Sequence, residues 1–106
     1  MARTREEILA ERRLLRNEYG NLFDSLAALL FRHDPVGISF VADEYEPEAG
    51  TILPRLRNCE SARDVQRVVH EEFVRWFNAD IAGPEERYTD IASEIWRLWQ
   101  GKKPAR

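Results

Sequence analysis

Residues 34–48 read DPVGISFVADEYEPE. This is the one stretch that breaks an otherwise helical pattern, and it decides how the chain divides. The residue before a proline is pushed out of the helical region, so Asp34-Pro35 ends the helix that precedes it. Gly37 follows, Ile38, Phe40 and Val41 give the middle some extended character, and Asp43, Glu44, Tyr45, Glu46 and Glu48 close the stretch. Pro47 suits the first turn of a new helix, and the acids around it suit that helix's positive end. The stretch is a connection between two helices.

Upstream of it, Leu15, Tyr19, Leu22, Leu26, Leu29 and His33 recur at steps of four and three, a heptad-like seam that Ile8 extends backwards by seven. Thr4-Arg5-Glu6-Glu7 is a capping box for its start. The spacing predicts one long N-terminal helix, with Gly20 as its weak point, since glycine costs about 1 kcal/mol relative to alanine inside a helix. If unbroken, residues 5–33 would span about 43 Å at 1.5 Å per residue. A domain of this size has a radius of gyration of only about 13 Å. Residues 1–18 are therefore expected to project. Their apolar side chains Ile8, Leu9, Leu14 and Leu15 would then need a cover, most simply a second copy in a homodimer through the first helix.

Downstream, Tyr45, Ala49, Ile52, Leu56 and Cys59 form a second stripe that Pro54 should kink. Ser61 is placed to cap a third helix with Asp64 in its first turn, and Ala62, Val65, Val68, Val69, Phe73, Trp76 and Phe77 share one of its faces. Ala82-Gly83-Pro84 stops the chain and restarts it. A fourth helix is predicted over residues 84–100, with Tyr88, Ile91, Ala92, Ile95 and Trp99 inward, Gly101 just past its end and residues 102–106 as a frayed tail. The expected fold is all-α, about four helices in a single domain over residues 1–106, closed by the tryptophans of the last two helices.

The 106 residues suffice for one core, and 43% hydrophobic with 33% charged residues is ordinary for a soluble globular chain. A net charge of −3 argues against nucleic acid and anionic lipid as partners. The N-terminal arginines are interleaved with Glu6, Glu7, Glu11 and Glu18, as on a solvated helix face rather than a basic stripe. No apolar run is long enough to span a membrane, no signal-peptide core opens the chain, and Cys59 has no partner for a disulfide, so a cytoplasmic location is expected.

Site chemistry is sparse. The run Asp43, Glu44, Glu46, Glu48 lacks the alternating spacing and internal glycine of a calcium loop. It suits a helix start, and it also suits an acidic patch for a basic protein, with Tyr45 as an anchor or a core residue. His33-Asp34 and His70-Glu71-Glu72 lack the further ligands of a zinc site, so neither a metal nor another cofactor is expected. His33, in line with Leu26 and Leu29, is expected to pack on the core and cap helix carbonyls. Cys59 has the setting of a buried, unreactive thiol. Glu72 is the exception: it falls among Val65, Val68, Val69 and Trp76, where a carboxylate must be paired or hydrogen-bonded. It is expected to be at least half buried, clamping the backbone of residues 35–38 or accepting from an arginine.

The pattern Asp34, Pro35, Gly37, then Asp43, Glu44, Tyr45 and Glu48, resembles the signature of a family of small uncharacterised bacterial helical proteins. The blocks Phe73-Val74-Arg75-Trp76-Phe77 and Ile91-Ala92-Ser93-Glu94-Ile95 extend the likeness. The resemblance implies a helical fold and a special status for the connection, and no activity. From size, acidity and helical class, the leading expectation is a binding or inhibitory module of a bacterial conflict system, such as an immunity protein that meets a basic toxin through Asp43, Glu44, Tyr45, Glu46 and Glu48. A second reading is a small enzyme or metal-dependent protein centred on His33, Asp34 and Glu72. A third is an assembly subunit that acts through the first helix.

Overall fold

The long apolar seam of the N-terminal third is divided between two helices. In the computed structural model, which describes residues 5–37 and 45–102, helix α1 (Arg5–Tyr19) ends at Gly20 and α2 (Asn21–His33) begins at once. Gly20 has φ 60° and ψ −135°. A side chain is strained in that conformation, and glycine is not, so the weak point in the seam becomes a sharp corner. The single long helix expected from the spacing is thus corrected to two. The lower half of α1 folds back onto the body through Leu15 and Tyr19, which pack against the core. Arg16 holds the corner: its guanidinium bonds the Asp24 carboxylate at 3.0 Å and lies 5.2 Å from the centre of the Phe23 ring. Arg57 adds a second tie, pairing with Glu18 and covering Tyr19. Leu14 stays 66% exposed. The side chains of Ile8 and Leu9 and the capping threonine Thr4 lie outside the described residues.

After the connection, α3 (Glu46–Ile52) carries Pro47 in its first turn, as its missing N–H allows. Pro54 cannot donate to the carbonyl four residues back, and the chain tightens into a 3₁₀ segment, Leu53–Asn58. Gly50 lets α1 come close, since a Cβ there would sit 3.1 Å from Leu15 Cδ1. Helix α4 (Ala62–Phe77) starts as its sequence predicts, with the Asp64 amide donating to Ser61 Oγ at 3.2 Å. The stop at Ala82-Gly83-Pro84 is more elaborate than a break between two helices. A short α5 (Ala79–Ala82) precedes it, a 3₁₀ turn (Glu85–Tyr88) follows it, and only then does α6 (Thr89–Lys102) begin. The described residues therefore contain six α-helices and two 3₁₀ segments rather than about four helices, and none is in a strand. Gly101 lies within α6, not beyond it, and most of the expected tail falls outside the described residues.

Helix α6 packs against α4 and α2, and α3 bridges α2 and α4. The core runs through all of them: Phe23, Leu26, Leu30, Tyr45, Ile52, Leu53, Leu56, Val65, Phe73, Tyr88 and Ile95 are all but inaccessible. The aromatic centre is Phe73, with Tyr45, Phe77 and Tyr88 within 6.0 Å of it. The tryptophans do not close this core. Trp76 is 37% exposed, its indole N–H donating to Thr51 Oγ1 at 3.0 Å, and Trp96 and Trp99 flank the core partly buried. Among the described residues no helix is long and apolar enough to cross a membrane.

Candidate functional site

The connection opens from a firmly built base. Asp34 caps α2 in the left-handed conformation, φ 50° and ψ 55°, its amide donating to Leu30 O at 2.8 Å. Aspartate is among the few residues that tolerate this region. Gly37, also at positive φ, turns the chain back, with its amide on Asp34 O at 3.2 Å. From the far end, the Tyr45 hydroxyl donates to Asp34 Oδ1 at 2.7 Å and accepts the Val36 amide at 3.4 Å. The two ends of the connection are thus held together by one phenol whose ring is buried beside Phe73.

A second clasp comes from the 3₁₀ turn before α6. Arg87 Nη1 donates to Pro35 O at 3.1 Å, Ile81 O at 3.1 Å and Ala82 O at 3.0 Å. Tyr88 donates to Ala82 O at 2.6 Å, and burial pushes its phenol pKa up. His70 Nε2 lies 2.9 Å from Gly83 O, and the Asn78 side chain accepts from the Ile81 amide. The α5 turn and the base of the connection are therefore fastened to each other and to α4. Nothing in the sequence marks Arg87 for this role, since its acceptors are backbone carbonyls. The Gly83 backbone at φ 77° is matched to it, because a Cβ at that position would meet the Arg87 guanidinium at 2.6 Å.

The acidic run divides. Asp43 and Glu44 lie outside the described residues. Tyr45 and Glu48 point inward, Glu48 with only 3% of its surface exposed, and Glu46 lies 3.9 Å from Arg16. Of the five residues expected to meet a partner, two are core and one faces α1.

Glu72 is 2% exposed, and it accepts from arginines: Arg55 Nη1 at 2.9 Å and Arg75 Nη1 at 3.4 Å, both on Oε2. Arg55 also holds Glu71 at 2.7 Å, so one guanidinium joins the 3₁₀ segment to α4. The clamp on the connection is Arg87 rather than Glu72. His33 Nε2 sits 3.2 Å from Glu94 Oε2 and Arg32 Nη1 3.2 Å from Glu94 Oε1, so His33 ties α2 to α6 instead of capping carbonyls. Partial burial pushes the Glu94 carboxyl up, but the bonds from Arg32 and His33 outweigh it and hold its pKa below the ordinary value. His33, Asp34 and Glu72, grouped as a candidate catalytic centre, are each bonded to a different neighbour: Glu94, Tyr45 and the Arg55–Arg75 pair. Cys59 is buried, its thiol on Arg55 O at 3.6 Å, and burial raises its pKa, consistent with an unreactive thiol. Among the described residues no three His, Cys, Asp or Glu side chains cluster to hold a metal ion.

Comparison with protein-family models, curated proteins and solved structures finds no match.

Proposed function

We propose that the protein is a binding or inhibitory module that meets a basic protein partner through the acidic connection between α2 and α3. A secreted toxin countered by an immunity protein is the partner type that suits its size and acidity. The observation that carries the reading is the closure of the connection by Tyr45, which bonds Asp34 from one side and Val36 from the other. The two ends of the segment are fastened to the helical scaffold through Asp34, Val36 and Tyr45, and loops held on a scaffold commonly carry recognition. No lysine or arginine lies between Arg32 and Arg55, so this part of the chain has no cation of its own to neutralise Asp43 and Glu44. Tyr45 and Glu48 serve as supports rather than contacts, which leaves Asp43 and Glu44 as the acids offered to the partner.

Tagged wild-type protein and the double variant Asp43→Lys/Glu44→Lys, compared in low-salt capture from the native host, test this. The expected result is a basic protein retained by the wild type and lost both with the variant and at high salt, because steering by exposed charge is screened. A partner held equally by both forms would remove the connection from the interface.

A further inference from the structure

We propose that Ile81 is the apolar anchor of the docking surface for that basic partner, displayed by the α5 turn beside the base of the acidic connection. The proposal rests on the binding-module reading and adds a second, described element to its surface. Ile81 is 48% exposed, and among the described residues only Leu14 is a more open large apolar side chain. An isolated exposed isoleucine is unremarkable. This one is held where it is by costly structure. Asn78, at φ 125° and ψ 171°, occupies a region that is essentially reserved for glycine, and such strain is kept only where the surroundings enforce it. They do so with four side chains: Asn78 accepts the Ile81 amide, Arg87 takes Ile81 O and Ala82 O, Tyr88 takes Ala82 O, and His70 meets Gly83 O. None of these bonds buries the isoleucine. They fix a four-residue helix whose outward side chain is apolar, which is the preorganisation that makes an anchor cheap to bind.

The place and the charge indicate what it binds. The same Arg87 nitrogen that holds Ile81 O holds Pro35 O, so the anchor adjoins the base of the connection. Between Asn78 and Glu86 the charged residues are Asp80, Glu85 and Glu86, all acidic, with Asp80 and Glu86 exposed. The nearest cations in sequence are Arg87, engaged with three carbonyls, and Arg75, paired with Glu72 on α4. An apolar side chain on a segment whose own charges are all acidic fits a basic segment that offers an apolar socket, and repels an acidic one.

Amide-resolved NMR titration of the full chain with three short peptides tests this: lysine alternating with leucine, lysine alternating with serine, and glutamate alternating with leucine. The expected result is shifts at Val36, Gly37 and residues 80–82 with the lysine–leucine peptide and binding roughly tenfold weaker for lysine–serine, the loss expected for one buried aliphatic contact. The glutamate–leucine peptide should not bind. Ile81→Ser, which alters an exposed side chain, should leave the spectrum of the free protein otherwise intact and abolish the preference for leucine. Shifts on another face, or a leucine preference that survives Ile81→Ser, would overturn the proposal. If Asp43→Lys/Glu44→Lys weakens the lysine peptides while Ile81→Ser does nothing, the acidic connection stands without its anchor. If only Ile81→Ser acts, the anchor stands and the connection is not the contact.

Discussion

The Tyr45 hydroxyl bonds the Asp34 carboxylate at 2.7 Å, joining the residue that ends α2 to the residue that precedes α3. Eleven positions of sequence separate them, and the bond converts an open connection into a closed one. The phenol also takes the Val36 amide, so its removal takes a bond from the Asp34 carboxylate and from that amide at once. Tyr45→Phe keeps the ring against Phe73 and should cost about 1.5–3 kcal/mol in urea unfolding, typical of a bond to a charged group. Hydrogen exchange at the Val36 amide should accelerate more than at core amides. Tyr45→Phe and Asp34→Ala should be strongly non-additive, because each removes the same bond. Additive losses would show that the two side chains act separately.

Glu72 offers a sharper contrast, because its two partners remain accessible while it does not. Side-chain exposure is 2% for Glu72, 39% for Arg55 and 76% for Arg75. Removing the carboxylate leaves two guanidinium groups that water can reach, and Arg55 keeps Glu71. Glu72→Ala should therefore cost about 1–3 kcal/mol, mostly from lost packing and the lost bonds. Glu72→Gln should cost less. Glu72→Leu should match or exceed the wild type, since Val68, Val69 and Phe73 are its buried neighbours on α4 and a buried ion pair replaced by an apolar side chain of similar size is often neutral or better. A leucine variant that unfolds below the alanine variant in temperature would contradict this.

Much of this was legible in the sequence where local chemistry decides. Ser61 with Asp64, the apolar face of α4 and the stop at Asp34-Pro35 are each set by neighbours within a turn. Glu72 was conspicuous because a carboxylate on an apolar face needs partners, and it has them. Elements settled by tertiary contact were not legible. Seam spacing is the same for a straight helix and for one bent at Gly20, and only the packing of Leu15 and Tyr19 distinguishes them. The tryptophans had helical spacing suited to the core, yet Tyr45, Phe73 and Tyr88 fill it, and Trp76 has its polar edge on Thr51 at the surface. Arg87 had no signal at all, because carbonyl acceptors carry no sequence.

The pH dependence of the α2–α6 junction follows from Glu94. Its folded pKa lies below the ordinary carboxylate value, with the bonds from Arg32 and His33 overcoming the upward push of partial burial. A depressed carboxylate pKa contributes stability that is fully present above the unfolded value of about 4.3 and is lost as pH falls through the folded value. Thermal unfolding of the wild type should therefore weaken over that acid range, and Glu94→Gln should show a shallower loss there while being the less stable protein at pH 7. Identical acid limbs in the two proteins would assign the effect to other carboxylates.

The corner at Gly20 separates two structures that the same seam could adopt. Bent, the seam lays Leu15 and Tyr19 on the body of the protein, and Arg16 closes the angle on Asp24. Straight, residues 5–33 would form a rod of about 43 Å and lift both side chains off the core. A Cβ at position 20 meets nothing within 4 Å, so space does not oppose Gly20→Ala; the backbone at φ 60° does. Strain of this kind costs about 1–3 kcal/mol, and alanine also favours the helix by about 1 kcal/mol over glycine. Gly20→Ala should therefore shift the chain toward the straight form, and adding Asp24→Ala should shift it further by freeing Arg16. Small-angle scattering should report a larger radius of gyration for the variant than for the wild type, whose Cα atoms alone give 13.3 Å. The exposed Leu14, Leu15 and Tyr19 should then drive concentration-dependent association. A Gly20→Ala variant with the wild-type radius, stability and monomer content would show that packing of α1 on α2 and α3, and not the glycine, makes the corner.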